Sequence, residues 1–443
     1  MHTRARKLRG IRLLAALSGA VLVGAVTPSA DAATAREDQW HLDAMHADEM
    51  WKTSTGKGVT VAVVDSGVDP RLPDLRGRVL PGKDLSWRPG DEHTDYDGHG
   101  TGMAALIAGT GAAGAQNGTY GLAPGAKILP IRIPDFIENA RKDGNPDSYP
   151  TFISKAIRYA ADSDAQIINI SQASEWNSPE LAKAVEYALS KNKLIFAGVG
   201  NLGRGTNPLQ YPAATPGVVG VGAIGKDLKK TAASQRGPQV DLVAPGDEMV
   251  AACSDAKSGV CVTSGTSDAT AIASASAALI WSKHPTWTNN QVLRVLVNTA
   301  SGPVSGKKRT DEIGYGAVRP RIALTKPGDP GPADEYPLPG FPAKGSAAPS
   351  PAVSAGARAG QADDSGTLLG VVIGAGGVAL LGGAVVWVVV RRRRRSGPPT
   401  HTAAAFGGQV QGPYPPHPPY GAAPQGGPTS PYGQGPTDQQ RPL

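Results

Sequence analysis

Short apolar runs alternate with helical patterns along residues 58–324, and this alternation limits the fold more than any other feature of the sequence. The runs are rich in valine and isoleucine and occupy residues 59–64, 128–133, 166–170, 194–199 and 218–221. A run that is mainly apolar, without alternation, is typical of a parallel strand buried on both faces of a sheet. Helical patterns occupy residues 151–160, 178–191 and 288–299, the second of them beginning with a serine cap and a proline. The sequence therefore predicts one α/β domain with a doubly wound, mostly parallel sheet, helices on both faces, and an active site at the carboxyl ends of the strands.

Segments of different composition flank this domain. Residues 1–35 begin with basic residues and continue with an apolar run and small residues, the layout of a secretory signal. Residues 367–390 carry no charge and, as a helix, would extend about 36 Å, enough to span a hydrocarbon core of about 30 Å. Residues 391–395 are all arginine, which favours a cytoplasmic location for the C-terminal end of the chain. We therefore predict a single-pass protein of the cell membrane whose α/β domain lies outside the cytoplasm.

These features divide the chain into six predicted segments. They are a signal peptide at 1–35, an N-terminal arm at 36–57, the α/β domain at 58–324, a linker rich in Pro, Gly and Ala at 325–366, a transmembrane helix at 367–390, and a basic, Pro/Gly/Tyr-rich, disordered cytoplasmic tail at 391–443.

The net charge of +7 would suggest a nucleic-acid partner if it were spread over the whole chain, but it is concentrated in the terminal segments. Residues 1–35 carry +4 and residues 391–443 carry +5, which leaves −2 for everything between them. The basic residues therefore belong to targeting and topology, and nucleic-acid binding is not expected. The two cysteines, Cys253 and Cys261, lie in the exported part of the chain without a ligand cluster around them. They predict a local disulfide and no metal site.

Four polar residues stand at predicted strand ends or helix starts. Asp65 ends the first apolar run, and Asn201 follows the fourth. His99 lies between two glycines ahead of an Ala-rich helix. Ser267 begins a helix of small residues, where the free N–H groups of the first turn favour a negative charge. Each alone has an ordinary alternative as a turn or capping residue, but together they are the residue types expected of a nucleophile, a base, a residue that orients the base and an oxyanion donor.

The motifs around these residues resemble those of the subtilisin-type serine peptidases. The matching stretches are VDSGVD at 64–69, DGHGT at 97–101, YGLAPGAKI at 120–128, AGVGN at 197–201, VAPG at 243–246 and SGTS at 264–267. The resemblance implies that Ser267 attacks a peptide carbonyl, that His99 is the general base and acid, and that Asp65 orients His99. It implies that Asn201 binds the oxyanion, that protein or peptide is the substrate, and that no cofactor is needed. The segment order also resembles the mycosins, the membrane-anchored proteases of type VII secretion, whose machinery is then an expected partner.

Three departures from the subtilisin pattern bear on activity. Asp268 follows the nucleophile where the family usually has methionine, and its charge opposes a neighbouring oxyanion by about 3 kcal/mol before screening. Residues 172–174, Gln-Ala-Ser, replace the leucine and glycines that admit an extended peptide, which predicts a narrower substrate range. Gly102 replaces a family histidine outside the triad. These departures keep open an alternative, a slow or inactive protease-like scaffold that stabilises a secretion complex.

Overall fold

The computed structural model describes residues 33–134, 148–254 and 256–341, all of which belong to one compact unit. The predicted transmembrane helix, the cytoplasmic tail and nearly all of the signal peptide lie outside these residues. No helix of the described ranges is long and apolar enough to cross a membrane.

A seven-stranded parallel sheet forms the centre of the domain, with the strand order β2-β3-β1-β4-β5-β6-β7. Because β1 lies between β3 and β4, the chain winds first to one side of β1 and then to the other. This is the topology of a doubly wound sheet, which confirms the predicted α/β fold. The strands are β1 (Thr60–Asp65), β2 (Lys83–Asp84), β3 (Lys127–Arg132), β4 (Ile167–Ile170), β5 (Leu194–Gly198), β6 (Val219–Ile224) and β7 (Leu242–Pro245).

Helices cover both faces of the sheet because successive strand residues point to opposite sides. Val61 and Val63 of β1 pack into one apolar cluster, whereas Ala62 and Val64 pack into the other. The first cluster includes residues of α4, α7 and α8, and the second includes residues of α5 and α6. These helices are α4 (His99–Ala108), α5 (Ser148–Asp162), α6 (Pro179–Ser190), α7 (Thr266–Lys283) and α8 (Asn289–Asn298), followed by a short α9 (Pro320–Thr325). The predicted cap of α6 is present, since Ser178 Oγ accepts the Leu181 amide at 3.2 Å.

Helix α7 passes through the core, which explains its run of small residues. Nearly all of its side chains from Thr266 to Trp281 are buried. An antiparallel hairpin of β8 (Met249–Ala252) and β9 (Val260–Thr263) precedes it and leads directly to its first turn. The hairpin therefore lies beside the residue that sequence assigns as the nucleophile.

The N-terminal arm packs on the domain through three short helices, α1 (Ala35–Asp38), α2 (Trp40–Ala44) and α3 (Ala47–Trp51). Its buried Gln39 side chain donates to the carbonyl oxygens of Tyr120 and Val250, at 2.8 and 3.0 Å, and accepts the Tyr120 amide at 2.9 Å. The Trp40 indole donates to the carbonyl of Asp247 at 3.0 Å. These bonds join the arm to hairpin strand β8 and to the chain just before it.

The first part of the predicted linker also lies against the domain. Tyr336 donates its hydroxyl to the Gly217 carbonyl at 3.0 Å, and Arg294 of α8 donates to the carbonyls of Pro330 and Glu335. Proline-rich chain has carbonyl oxygens without local partners, and here the α8 arginine supplies the donors. Residues 342–366 of the linker lie outside the described ranges.

Candidate active site

The four predicted site residues lie at the carboxyl edge of the sheet. Asp65 is the last residue of β1, and Asn201 follows β5 closely. His99 is the first residue of α4, and Ser267 is the second residue of α7. Carboxyl ends of parallel strands share one edge, which is why positions so far apart in sequence converge.

Asp65 and His99 form a direct hydrogen bond. The Nδ1 atom of His99 lies 2.7 Å from Oδ1 of Asp65, whose side chain is fully buried. The same carboxylate oxygen accepts the backbone amide of Ser66 at 2.8 Å. Since Nδ1–H of His99 donates to the Asp65 carboxylate, Nε2 of His99 is left as an acceptor. The pair therefore holds the imidazole in the tautomer of a general base.

Glycines on both sides of His99 allow this close approach. Gly98 adopts a left-handed conformation with φ of 72°, which turns the chain into α4. A Cβ atom at Gly100 would lie 2.2 Å from the carbonyl oxygen of Gly67 and 3.0 Å from Cβ of Asp65. The Gly100 amide donates to Ser66 Oγ at 2.9 Å. The absence of a side chain at Gly100 therefore lets the start of α4 pack directly against the end of β1.

The pKa of His99 is raised from 6.5 to about 9 by its surroundings. Desolvation lowers it, but the charge of Asp65 and the hydrogen bond from His99 to that carboxylate outweigh this effect. The charges of Asp97 and Asp268 raise the pKa further. The side chain nevertheless remains 38% exposed, so it is open to the cavity in front of it.

Ser267 and Ser171 exchange two hydrogen bonds between α7 and the end of β4. Ser267 Oγ donates to the Ser171 carbonyl at 3.0 Å, and Ser171 Oγ donates to the Ser267 carbonyl at 3.1 Å. Among the described residues, Ser267 Oγ therefore bonds to Ser171 rather than to His99. His99 and Ser267 still line the same cavity, so the predicted nucleophile and the predicted base face a common space.

The amide of Asn201 is oriented by the first turn of α7. Its Oδ1 atom accepts the backbone N–H of Thr266 at 2.9 Å. Because the oxygen is committed to this bond, the NH₂ group of Asn201 is left to donate into the cavity. It accompanies the free N–H groups at the start of α7 beside Ser267. Together they form a site with the chemistry of an oxyanion hole.

Two cavities meet at the candidate nucleophile, with Asp97, His99, Asn201 and Ser267 lining both. Cavity A has a volume of about 490 Å³ and is bounded by residues 171–173 at the end of β4. Cavity B has a volume of about 390 Å³ and lies between the start of α4 and the β8–β9 hairpin. Gln172 and Ala173, which replace the usual leucine and glycine, do line cavity A, where their side chains take up space.

Asp268 lines cavity B but not cavity A. Its side chain is almost fully buried, at 2% exposure, and Oδ1 accepts the hydroxyl of Thr263 at 2.5 Å. Burial raises the pKa of Asp268 to about 6, against the lowering effects of the Thr263 hydrogen bond and the charge of His99. The carboxylate is thus fixed toward the hairpin, while Asn201 is fixed toward the start of α7.

Several positioning residues were not found from sequence. Asn169 of β4 donates to Ser171 Oγ at 3.0 Å and accepts Ser274 Oγ of α7 at 2.9 Å. Asp95 accepts the Thr101 hydroxyl and amide and so holds the first turn of α4. A polar Asn169 inside the otherwise apolar β4 run was the available signal, because a buried amide needs partners.

The predicted disulfide is present between Cys253 and Cys261, whose Cα atoms lie 5.7 Å apart. It closes the β8–β9 hairpin, and both cysteines line cavity B. No group of three or more His, Cys, Asp or Glu side chains suited to a metal ion occurs within the described ranges.

The fold and these motifs agree with a family match. The model of the subtilase family of peptidases matches residues 56–318, more than half of the chain, and the chain therefore belongs to this family. It is a serine endopeptidase of the subtilisin-like α/β class.

Individual relatives show which subtilases this chain resembles. An intracellular serine protease of Paenibacillus polymyxa is 35% identical over 245 residues, which cover 54% of this chain and 71% of that protein. The crystal structure of MycP1 from Mycobacterium smegmatis superposes with a TM-score of 0.59 at 29% identity, covering 71% of this chain and 91% of MycP1. MycP3, described as a protease from the type VII (ESX-3) secretion system, gives a TM-score of 0.54 at 31% identity, covering 65% of this chain and 88% of MycP3. The predicted likeness to mycosins is confirmed.

Proposed function

We propose that this chain is a membrane-anchored, extracytoplasmic endopeptidase that cleaves protein or peptide substrates through Asp65, His99 and Ser267, with Asn201 in the oxyanion hole. The observation that carries the proposal is the 2.7 Å bond from the buried Asp65 to His99, whose ring lines the same cavity as Ser267. Nucleophilic acyl transfer needs an imidazole that is oriented by a carboxylate and faces a serine at the start of a helix.

The reaction follows from these positions. Ser267 rotates away from the Ser171 carbonyl, gives its proton to Nε2 of His99, and forms a bond to the substrate carbonyl carbon. The oxyanion accepts hydrogen bonds from Asn201 and from the Ser267 amide. His99, now a cation stabilised by Asp65, protonates the leaving amine as the peptide bond breaks. Water then gives a proton to His99 and bonds through its oxygen to the acyl carbon. His99 returns that proton to Oγ of Ser267 as the ester bond breaks, which releases the acid and restores Ser267.

Active-site labelling tests this assignment. A fluorophosphonate probe should label the purified full-length chain, and Ser267→Ala and His99→Ala should each abolish the labelling. Ser264→Ala is the matched control, because Ser264 also lines cavity B but its hydroxyl accepts the Glu248 amide instead. A well-folded wild-type chain that does not label, or labelling that survives in Ser267→Ala, contradicts the proposed triad.

The membrane location rests on the sequence of the terminal segments. The signal-like residues 1–35, the uncharged residues 367–390 and the arginines at 391–395 agree on one topology. Treating intact cells with an added protease tests it. The catalytic domain should be digested from outside, and an epitope tag at residue 443 should be protected until the membrane is permeabilised. The reverse pattern contradicts the topology.

An association with type VII secretion machinery is supported by the likeness to MycP1 and MycP3. A structural role in such an assembly is the second candidate function, because the Ser267 hydroxyl bonds to Ser171 and Asp268 places a charge beside the nucleophile. Secretion should be compared in a deletion strain carrying wild type, Ser267→Ala or no gene. If Ser267→Ala restores secretion fully, the assembly needs the chain but not its turnover. If only wild type restores it, catalysis is required.

A further inference from the structure

Cavity B lies between the start of α4 and the β8–β9 hairpin, and its lining, unlike that of cavity A, does not include the end of β4. Cavity A is bounded by the end of β4, the stretch on which subtilisin-type peptidases pair an extended substrate, and so it receives the residues before the bond. Both cavities share His99, Asn201 and Ser267. A peptide whose carbonyl lies between Asn201 and Ser267 therefore continues from cavity A into cavity B.

The charges around cavity B have one sign apart from His99. Asp97 and Asp268 line it, and none of its described lining residues is a lysine or an arginine. None of the ion pairs among the described residues includes Asp268. A buried carboxylate is costly without a partner, and the basic group that shares its cavity, His99, is already bound to Asp65.

The remaining walls suit a long side chain with an apolar stem. Met103, Ala252 and the Cys253–Cys261 disulfide supply apolar surface, and the volume of about 390 Å³ is ample for one side chain. Thr263 fixes one oxygen of the Asp268 carboxylate, and a carboxylate retains further lone pairs after one bond. Cavity B thus combines an apolar passage with an oriented anion.

We propose that Asp268 determines specificity by binding a lysine or arginine side chain at the position immediately after the scissile bond. This inference rests on the proposed function, because it assumes attack by Ser267. It also accounts for the acid beside the nucleophile. A substrate cation paired with Asp268 neutralises the charge that opposes the oxyanion, so the preferred substrate removes the penalty itself. The preference should therefore affect kcat as well as KM.

Peptides that differ only in the residue after the scissile bond test the proposal. The full-length chain should cleave the lysine or arginine peptide at pH 8 with a kcat/KM roughly 10- to 100-fold above that of the methionine peptide, the gain expected of a charge-assisted hydrogen bond. A glutamate peptide should be cleaved more slowly than the methionine peptide. In Asp268→Asn the lysine-to-methionine ratio should fall most of the way towards one, because Asp97 is then the one carboxylate left among the described lining residues of cavity B. Asp247→Asn, which removes a nearby charge outside cavity B, should leave the ratio unchanged.

Fluorophosphonate labelling of each variant separates the possible failures. A chain that labels at Ser267 but has no preference for a cation, or keeps its preference in Asp268→Asn, overturns this inference and leaves the proposed function standing. A chain that neither labels nor cleaves overturns both.

If Asp268→Asn does not fold, the pH dependence of the wild-type ratio serves instead. Thr263, His99 and Asp247 influence Asp268 directly, and Asp97 is the other carboxylate that lines cavity B. The protonation of His99 affects both peptides equally. The lysine-to-methionine ratio should fall as the pH is lowered through about 6, where Asp268 becomes protonated. A ratio that stays constant between pH 8 and pH 5 contradicts the proposal.

Discussion

Replacing Asn201 with alanine separates two functions of one side chain. The NH₂ group is a donor for the oxyanion, and Oδ1 accepts the Thr266 amide at 2.9 Å. Loss of an oxyanion donor raises the activation free energy by about 3–4 kcal/mol, so kcat should fall by roughly 10²- to 10³-fold. Loss of the acceptor removes one hydrogen bond from the start of α7, which should lower the free energy of unfolding by about 1 kcal/mol.

Asn201→Asp is the matched variant. It keeps an oxygen for the Thr266 amide, so the free energy of unfolding should stay closer to wild type. It also places a carboxylate where the oxyanion forms, so kcat should fall at least as far as in Asn201→Ala. The comparison therefore assigns the loss of kcat to the donor and the loss of stability to the acceptor.

Steady-state kinetics on a peptide amide and denaturant unfolding of the same preparations measure both effects. KM should change little, because the donor acts on charge that develops only in the transition state. The reasoning is refuted if kcat falls by less than about tenfold, if the loss appears mainly in KM, or if Asn201→Asp retains more activity than Asn201→Ala.

Three further predictions concern the base, its backbone and the hairpin. His99 accepts a proton only when it is neutral, and its pKa is raised to about 9, so kcat/KM should rise with pH and level off near pH 9. A plateau of kcat/KM that is already reached at pH 6 contradicts this. Gly100→Ala should lower the free energy of unfolding by about 1–3 kcal/mol and reduce kcat, because the new Cβ would meet the Gly67 carbonyl at 2.2 Å; unchanged unfolding and kinetics refute the contact. Replacing Cys253 and Cys261 with serine should lower the free energy of unfolding by about 2–3 kcal/mol in a urea titration, and added reductant should have no further effect on that variant.

The fold was largely predictable because β1, β3, β4, β5 and β6 consist mainly of apolar residues and are therefore distinct from their surroundings. The four-residue β7 was not among the predicted runs. The edge strand β2 has only two residues, Lys83 and Asp84, and neither composition nor period marks it. The short β8 and β9 depend on pairing with each other, and β9 is half exposed. Such strands are defined by their partners more than by their own residues.

The site was predictable in residue type and location but not in its contacts. Asp65, His99, Asn201 and Ser267 each stand at a strand end or helix start, a position that sequence can indicate. The bond from Ser267 to Ser171 joins residues 96 positions apart and depends on how α7 meets the end of β4. That packing is fixed by tertiary structure, so no local pattern reveals it.

The bonds of the N-terminal arm have a mechanical consequence. Gln39 joins the arm to Val250 of β8, and β8 is the first strand of the disulfide-closed hairpin that bounds cavity B. A force applied to the arm, by a bound neighbour or a surface tether, is therefore transmitted over a few bonds to the wall beside Asp268. The N-terminal arm is in this way mechanically coupled to the wall of cavity B.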